Sequence, residues 1–144
     1  MRHATWGMAM ALLLPILASA DAAGQGAPAE PSRVLVFFDW GKPDIGSDAA
    51  GVLDALAADF RAAPGGRLQV SGHSDRSGSP AGNRRSAAKR ADAVAAYLAE
   101  RGVPRSAMAI ASFGEERPLI PTADGVREPQ NRRVEVGLVP ITAQ

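Results

Sequence analysis

The chain has 144 residues, with 16 lysines and arginines against 15 aspartates and glutamates, a formal net charge of +1. So even a balance gives nucleic-acid binding no electrostatic support. The absence of cysteine excludes disulfides, thiolate metal sites and an acylated N-terminal cysteine.

Residues 1–20 read as a secretory signal peptide. Arg2 and His3 give a basic start, Met8 to Leu17 a mostly apolar run too short to span a bilayer, and Ala18-Ser19-Ala20 a small-x-small cleavage site. Cleavage leaves enough chain for one domain with a real core, and takes Arg2 away, so the charge falls nearer zero. The expectation is an exported, periplasmic protein with no transmembrane segment after signal removal and no lipid anchor. Residues 21–32 are rich in Gly, Ala and Pro without an apolar period and read as a flexible lead-in, which leaves residues 33–144 as the folded domain.

Arg33 to Phe38 is a β-branched and aromatic run that suits a buried strand and stops at Asp39-Trp40-Gly41-Lys42-Pro43. Ser47 suits a helix N-cap, and Ala49, Val52, Leu53, Leu56, Ala57 and Phe60 then recur at helical spacing until Pro64-Gly65-Gly66. Arg67 to Gly72 alternates Leu68 and Val70 with polar residues, as a half-buried strand does. A second helix is expected from about Asn83 to Arg101, with Ala87, Ala91, Val94 and Leu98 as its stripe and Gly102 at its C-terminal end. Met108 to Phe113 and Arg132 to Val139 read as further strands, separated by a long loop from Glu115 to Gln130 that carries three prolines. The order βαβαββ predicts an α/β (α+β) two-layer sandwich, a mixed four-stranded sheet backed by helices.

The most telling chemistry lies between Gly72 and Val94. Asp75 stands where a strand gives way to a glycine-rich loop, and Arg90 falls in the first two turns expected for the next helix, beside its apolar stripe. A βαβ connection brings the start of its helix near the strand's C-terminal end, so both side chains can face one crevice. A carboxylate accepts hydrogen bonds from an ammonium, and a guanidinium matches a carboxylate in bidentate fashion, so the pair suits a zwitterionic amino-acid head group. The glycines would let the ligand approach the backbone, and amides in the loop and at the helix start would add an anion site. The alternative is that Asp75 and Arg90 pair with one another at the surface. Asn at such a position is more often a plain N-cap than a ligand contact, and Asn83 reads so too. Arg132 and Arg133 are consecutive in a strand and leave on opposite faces, so at most one reaches a given site.

No catalytic, cofactor or metal motif is present. Ser74 and His73 are extended neighbours that point apart, which prevents a nucleophile–base pair, and a second glycine for a nucleophile elbow is missing. The only other histidine is His3, inside the signal peptide, so a histidine metal centre is not expected. Phosphate-binding glycine loops and paired hydrolase carboxylates are absent as well.

The ordered motifs Phe38-Asp39, Gly72-His73-Ser74-Asp75-Arg76-Ser77-Gly78, Asn83 with Arg90-Ala91 and Val94, Phe113-Gly114 leading to Pro118, and Asn131-Arg132-Arg133-Val134 together resemble the OmpA-like peptidoglycan-binding domain. That family is found in outer membrane protein A, peptidoglycan-associated lipoprotein and flagellar stator proteins. The resemblance spans roughly residues 34–138. It implies non-catalytic binding of peptidoglycan through the diaminopimelate of its stem peptide. Asp75 would then take the ammonium and Arg90 the carboxylate, Asn83 and Arg132 would line the site, and the backbone around Gly41 would supply an amide. Ser77 stands where the family often has a small hydroxyl residue. The sequence departs from the pattern at Ser86-Ala87, where the family has Leu-Ser, with loss of a core-facing leucine expected; at Gly82, where an aromatic is common; and at Gly41, where a polar residue is usual. The competing reading is an envelope assembly module that docks a protein partner through a sheet edge or the 115–130 loop and keeps only a vestigial wall site.

Overall fold

The computed structural model describes residues 33–139. The signal peptide, the lead-in and residues 140–144 lie outside the described residues. The elements are β1 (Arg33–Phe37), α1 (Ser47–Ala62), β2 (Arg67–His73), α2 (Pro80–Glu100), β3 (Met108–Gly114) and β4 (Arg133–Val139), with 3-10 turns at Arg105–Ala107 and Pro129–Asn131. This is the expected βαβαββ α+β architecture. Its sheet order is β1-β4-β2-β3, with β4 antiparallel to both neighbours and β2 parallel to β3. The strands β1, β2 and β3 therefore run in one direction. Their C-terminal ends and the start of β4 meet along a single edge of the sheet, where loops can bring distant residues together.

One hydrophobic core lies between sheet and helices. Val36, Leu68, Val70, Val134 and Val136 meet Leu53, Leu56, Phe60, Val94 and Leu98, all buried. The N-cap of α1 is Gly46, with no side-chain cap bond, so Ser47 opens the helix instead of capping it. Val52 is 39% exposed and drops out of the apolar stripe.

The second helix starts earlier than its apolar period suggests. Ser79 Oγ accepts a hydrogen bond from Gly82 N at 3.1 Å, and Pro80 occupies the first turn, where its missing N–H costs nothing. Asn83 is consequently a helical residue and not the cap, and Arg90 falls in the third turn. At the far end, Gly102 N donates to Ala99 O and Val103 N to Leu98 O, with Gly102 at φ +92°. These are the paired bonds of a Schellman motif, which only a residue tolerant of positive φ closes cheaply.

Gly72 decides how α2 sits on the sheet. A Cβ there would lie 2.1 Å from Ala87 O and 3.2 Å from Ala91 Cβ. Its role is close helix–strand packing, with the small Ala87 and Ala91 opposite, and not the approach of a ligand. The strand beneath is covered on both faces, so β2 is half-buried only at its start: Ser71 and His73 on the outer face are buried too. There His73 stacks on Phe113 at 5.5 Å, Arg117 lies over the Phe113 ring, and Arg133 donates to Glu135 and to the Arg117 carbonyl.

Candidate functional site

The sheet edge described above gathers β1's exit (Trp40, Gly41), β2's exit (Ser74 to Gly78) and the cleft-facing row of α2 (Asn83, Ser86, Arg90) around a hollow of about 140 Å³. A larger hollow, of about 580 Å³ between β1 and the start of α1, has no buried charged side chain in its walls.

Asp75 is 3% exposed, and its carboxylate is held from four directions. Oδ1 accepts from Ser77 Oγ at 2.6 Å and Ser77 N at 3.2 Å; Oδ2 accepts from Arg132 at 3.0 Å and Glu128 N at 3.3 Å. Burial acts to raise its pKa, but the Ser77 and Arg132 hydrogen bonds outweigh it and hold the carboxyl below its ordinary value. Asp75 is thus a fixed anion. Arg132 also donates to Phe38 O at 3.1 Å, which ties the end of β1 to the end of β2. Arg133, the first residue of β4, leaves on the other face, where it bonds Glu135 and the Arg117 carbonyl.

Arg90 has no such partner. It is 3% exposed, and no carboxylate lies within ion-pair distance of it among the described residues. It donates to His73 O at 3.3 Å, its guanidinium sits 5.9 Å from the Phe38 ring centroid, and its Nε is buried without an acceptor. Burial, then the positive Arg132, pushes its pKa down; Asp75 acts the other way and does not cancel them. The Asp75–Arg90 surface pair weighed from the sequence does not form: Asp75 pairs with Arg132, and both Asp75 and Arg90 line the hollow.

The remaining candidates take definite places. Asn83 Nδ2 donates to Gly78 O and to Glu115, so its side chain braces the loop after β2. Ser77 holds Asp75 and accepts from Trp40 Nε1 at 3.1 Å. Gly41, at φ +71°, turns the chain at the rim. Four of the amides in the stretch expected to form an anion site are already engaged: Ser74 N binds Gly114 O, Ser77 N binds Asp75, and Gly82 N and Asn83 N bind Ser79. Ser74 Oγ donates to the Asp75 carbonyl and both His73 ring nitrogens lack partners, so no Ser–His pair exists here. Among the described residues no group of three or more His, Cys, Asp or Glu could hold a metal.

Two features escaped sequence reasoning. Trp40, 51% exposed, forms a wall of the hollow and carries Arg127 over its ring at 3.9 Å. Glu128 supplies a backbone amide to Asp75 from 53 residues away. Trp40's place directly after Phe38-Asp39 was the available signal; nothing local marks Glu128.

The OmpA family model matches residues 37–132, more than half of the chain. The chain belongs to the OmpA family. Relatives of this OmpA-family chain include an outer membrane protein of Gluconacetobacter diazotrophicus, 37% identical over 76% of the chain and 31% of that protein. Another is the peptidoglycan-associated lipoprotein of Haemophilus influenzae, 38% identical over 68% of the chain and 64% of that protein. The chain thus spans less than two thirds of either relative. The crystal structure of the peptidoglycan-associated lipoprotein from Burkholderia pseudomallei superimposes with a TM-score of 0.68 at 27% identity, covering 73% of this chain and 89% of that one. The periplasmic domain of Helicobacter pylori MotB, at 20% identity and TM-score 0.65 over 81% of this chain and 80% of that one, shares the fold. Position 86 of this OmpA-family domain faces the hollow and not the core, so Ser86 widens the mouth of the cleft and removes no core packing. The core position is the next one, where Ala87 is fully buried against Gly72.

Proposed function

We propose that this domain is a non-catalytic peptidoglycan-binding module of the periplasm that grips the diaminopimelate of the stem peptide. Asp75 receives the ammonium, Arg90 the carboxylate, Asn83 and Arg132 brace the walls, Ser77 fixes the Asp75 carboxylate, and the backbone around Gly41 supplies an amide to the ligand carboxylate. The observation that carries this reading is the buried guanidinium of Arg90, with no carboxylate partner among the described residues, in the same hollow as a fixed anion. Burying an uncompensated charge is expensive, so a protein that keeps one has a use for it. A ligand carboxylate would compensate it. An ammonium at Asp75 would share a lone pair already in use, most readily that of the Glu128 amide, whose 3.3 Å contact is the longest of the four. Membership of a family that includes peptidoglycan-associated lipoproteins supports the wall as the source of that ligand.

The test is co-sedimentation with isolated sacculi in competition with free meso-diaminopimelate. The expected result is retention by sacculi that the free amino acid displaces. Retention that diaminopimelate leaves untouched would sink the assignment of the ligand. A crosslinked envelope partner with no sacculus binding would favour the assembly-module reading.

A further inference from the structure

The cleft has a basic annex. A second hollow, of about 180 Å³, adjoins the first, and Gly41 and Ser86 line both. Its walls carry Lys42, Arg85 and Lys89, none of which has an ion-pair partner among the described residues. The acidic Asp39 and Asp44 flank Lys42 in sequence and Asp92 follows Lys89, yet none lies within ion-pair reach of these cations. Helical spacing explains the pairing of the two hollows. Asn83, Ser86 and Arg90 form one i, i+3, i+7 row of α2 facing the cleft; Gly82, Arg85 and Lys89 form the adjacent row facing the annex. Between the rows nothing bulky intervenes: residues 41 and 82 have no side chain and 86 has a short one. A Cβ at Gly82 would lie 2.9 Å from Ser79 Oγ, so a side chain there would have to shift the Ser79 cap.

We infer that the annex is a second anion subsite for the same ligand, taking the glutamate carboxylate of the stem peptide whose diaminopimelate head group occupies the cleft. This rests on the diaminopimelate reading and deepens it. The continuity of the two hollows through Gly41 and Ser86 lets one molecule reach both. Three exposed cations attract an anion through the charge itself, in proportion to how many carboxylates it carries. The consequence is specificity: the domain distinguishes a stem with a free carboxylate from one in which that group is amidated, because an amide brings no charge into the annex.

The experiment is calorimetric titration of the full exported chain with free meso-diaminopimelate, a stem tripeptide ending in diaminopimelate, and the same tripeptide with its glutamate carboxylate amidated. Each is measured against wild type and the triple variant Lys42→Gln, Arg85→Gln, Lys89→Gln. All three side chains are exposed, so the variant is expected to melt with wild type. The expected result is that the triple variant binds free diaminopimelate within about twofold of wild type and the free-acid tripeptide about tenfold more weakly. Wild type should prefer the free acid over the amide by a similar factor, a preference that shrinks with added salt and is absent in the variant. Equal tripeptide binding by wild type and variant, or no preference for the free acid, overturns the annex while leaving the cleft standing. A wild type that binds none of the three ligands overturns the diaminopimelate reading and the annex together.

Discussion

Arg90 and Asp75 sit in one hollow but differ in what they contribute to stability. Asp75 belongs to a buried, hydrogen-bonded ion pair with Arg132, and removing one partner of such a pair leaves the other charge uncompensated. Asp75→Ala is therefore expected to cost about 3–5 kcal/mol in chemical denaturation as well as binding. The two losses cannot be separated in that variant. Arg90→Met removes a buried cation with no acidic partner among the described residues and leaves an apolar side chain of similar length beside Phe38. It should keep the fold within about 1 kcal/mol of wild type, or stabilise it, while abolishing ligand retention. His73 supplies a pH dependence. Burial, then the nearby Arg133, lowers its pKa from 6.5 to about 4. The unfolded chain takes up its proton first as pH falls, so this residue withdraws stability from about pH 6.5 down to about 4, with no further loss below. His73→Leu should flatten that stretch of a denaturation-versus-pH curve. The chemistry of these residues was legible in sequence: the acid, the base and the hydroxyl at position 77 were all identifiable. What the letters did not carry was who pairs with whom. Arg132 lies 57 positions from Asp75, and no spacing rule links a strand start to a loop across a sheet whose order is not yet known.

Among the elements, α2 positions the site, and its seat on β2 depends on a single missing Cβ. Gly72→Ala drives a methyl into the Ala87 carbonyl, a backbone atom that cannot step aside without moving the helix. Overpacking of this kind costs about 1–3 kcal/mol, which for a domain of this size is a drop of roughly 5–20 °C in Tm. Because the displaced helix carries Arg90, ligand affinity should fall with it, whereas a core truncation far from the cleft, such as Leu53→Ala, should cost stability alone. The existence of α1 and α2 was legible from apolar periodicity, and Gly102 announced the end of α2. The start of α1 was legible to within one residue, that of α2 was not. At α2 the apolar stripe begins later than the helix, since Ser79 and Pro80 build a first turn that buries little, and counting from Asn83 placed Arg90 a turn too early. Position 86 was misassigned for a related reason: one residue separates the cleft-facing row from the core-facing row, and only the helix phase distinguishes Ser86 from Ala87.

For the whole molecule, the sheet order gathers the separate motifs at one end of the sheet. Insertion of β4 between β1 and β2 puts the start of the last strand beside the exits of the first two, and Arg132 bonds both Phe38 and Asp75 there. The sequence alternation indicated a mixed, helix-backed sheet, but strand neighbours follow from long-range pairing, which local pattern does not encode. Ligand that binds only the folded state must raise its stability by an amount that grows with concentration. At a hundredfold excess over Kd, diaminopimelate should stabilise wild type by about 2.7 kcal/mol and leave Arg90→Met unchanged. The most direct measurement is thermal melting of wild type and Arg90→Met with and without meso-diaminopimelate. The account requires similar Tm values without ligand and a ligand-induced rise in wild type alone; an equal rise in both proteins would show that the buried guanidinium plays no part in holding the ligand.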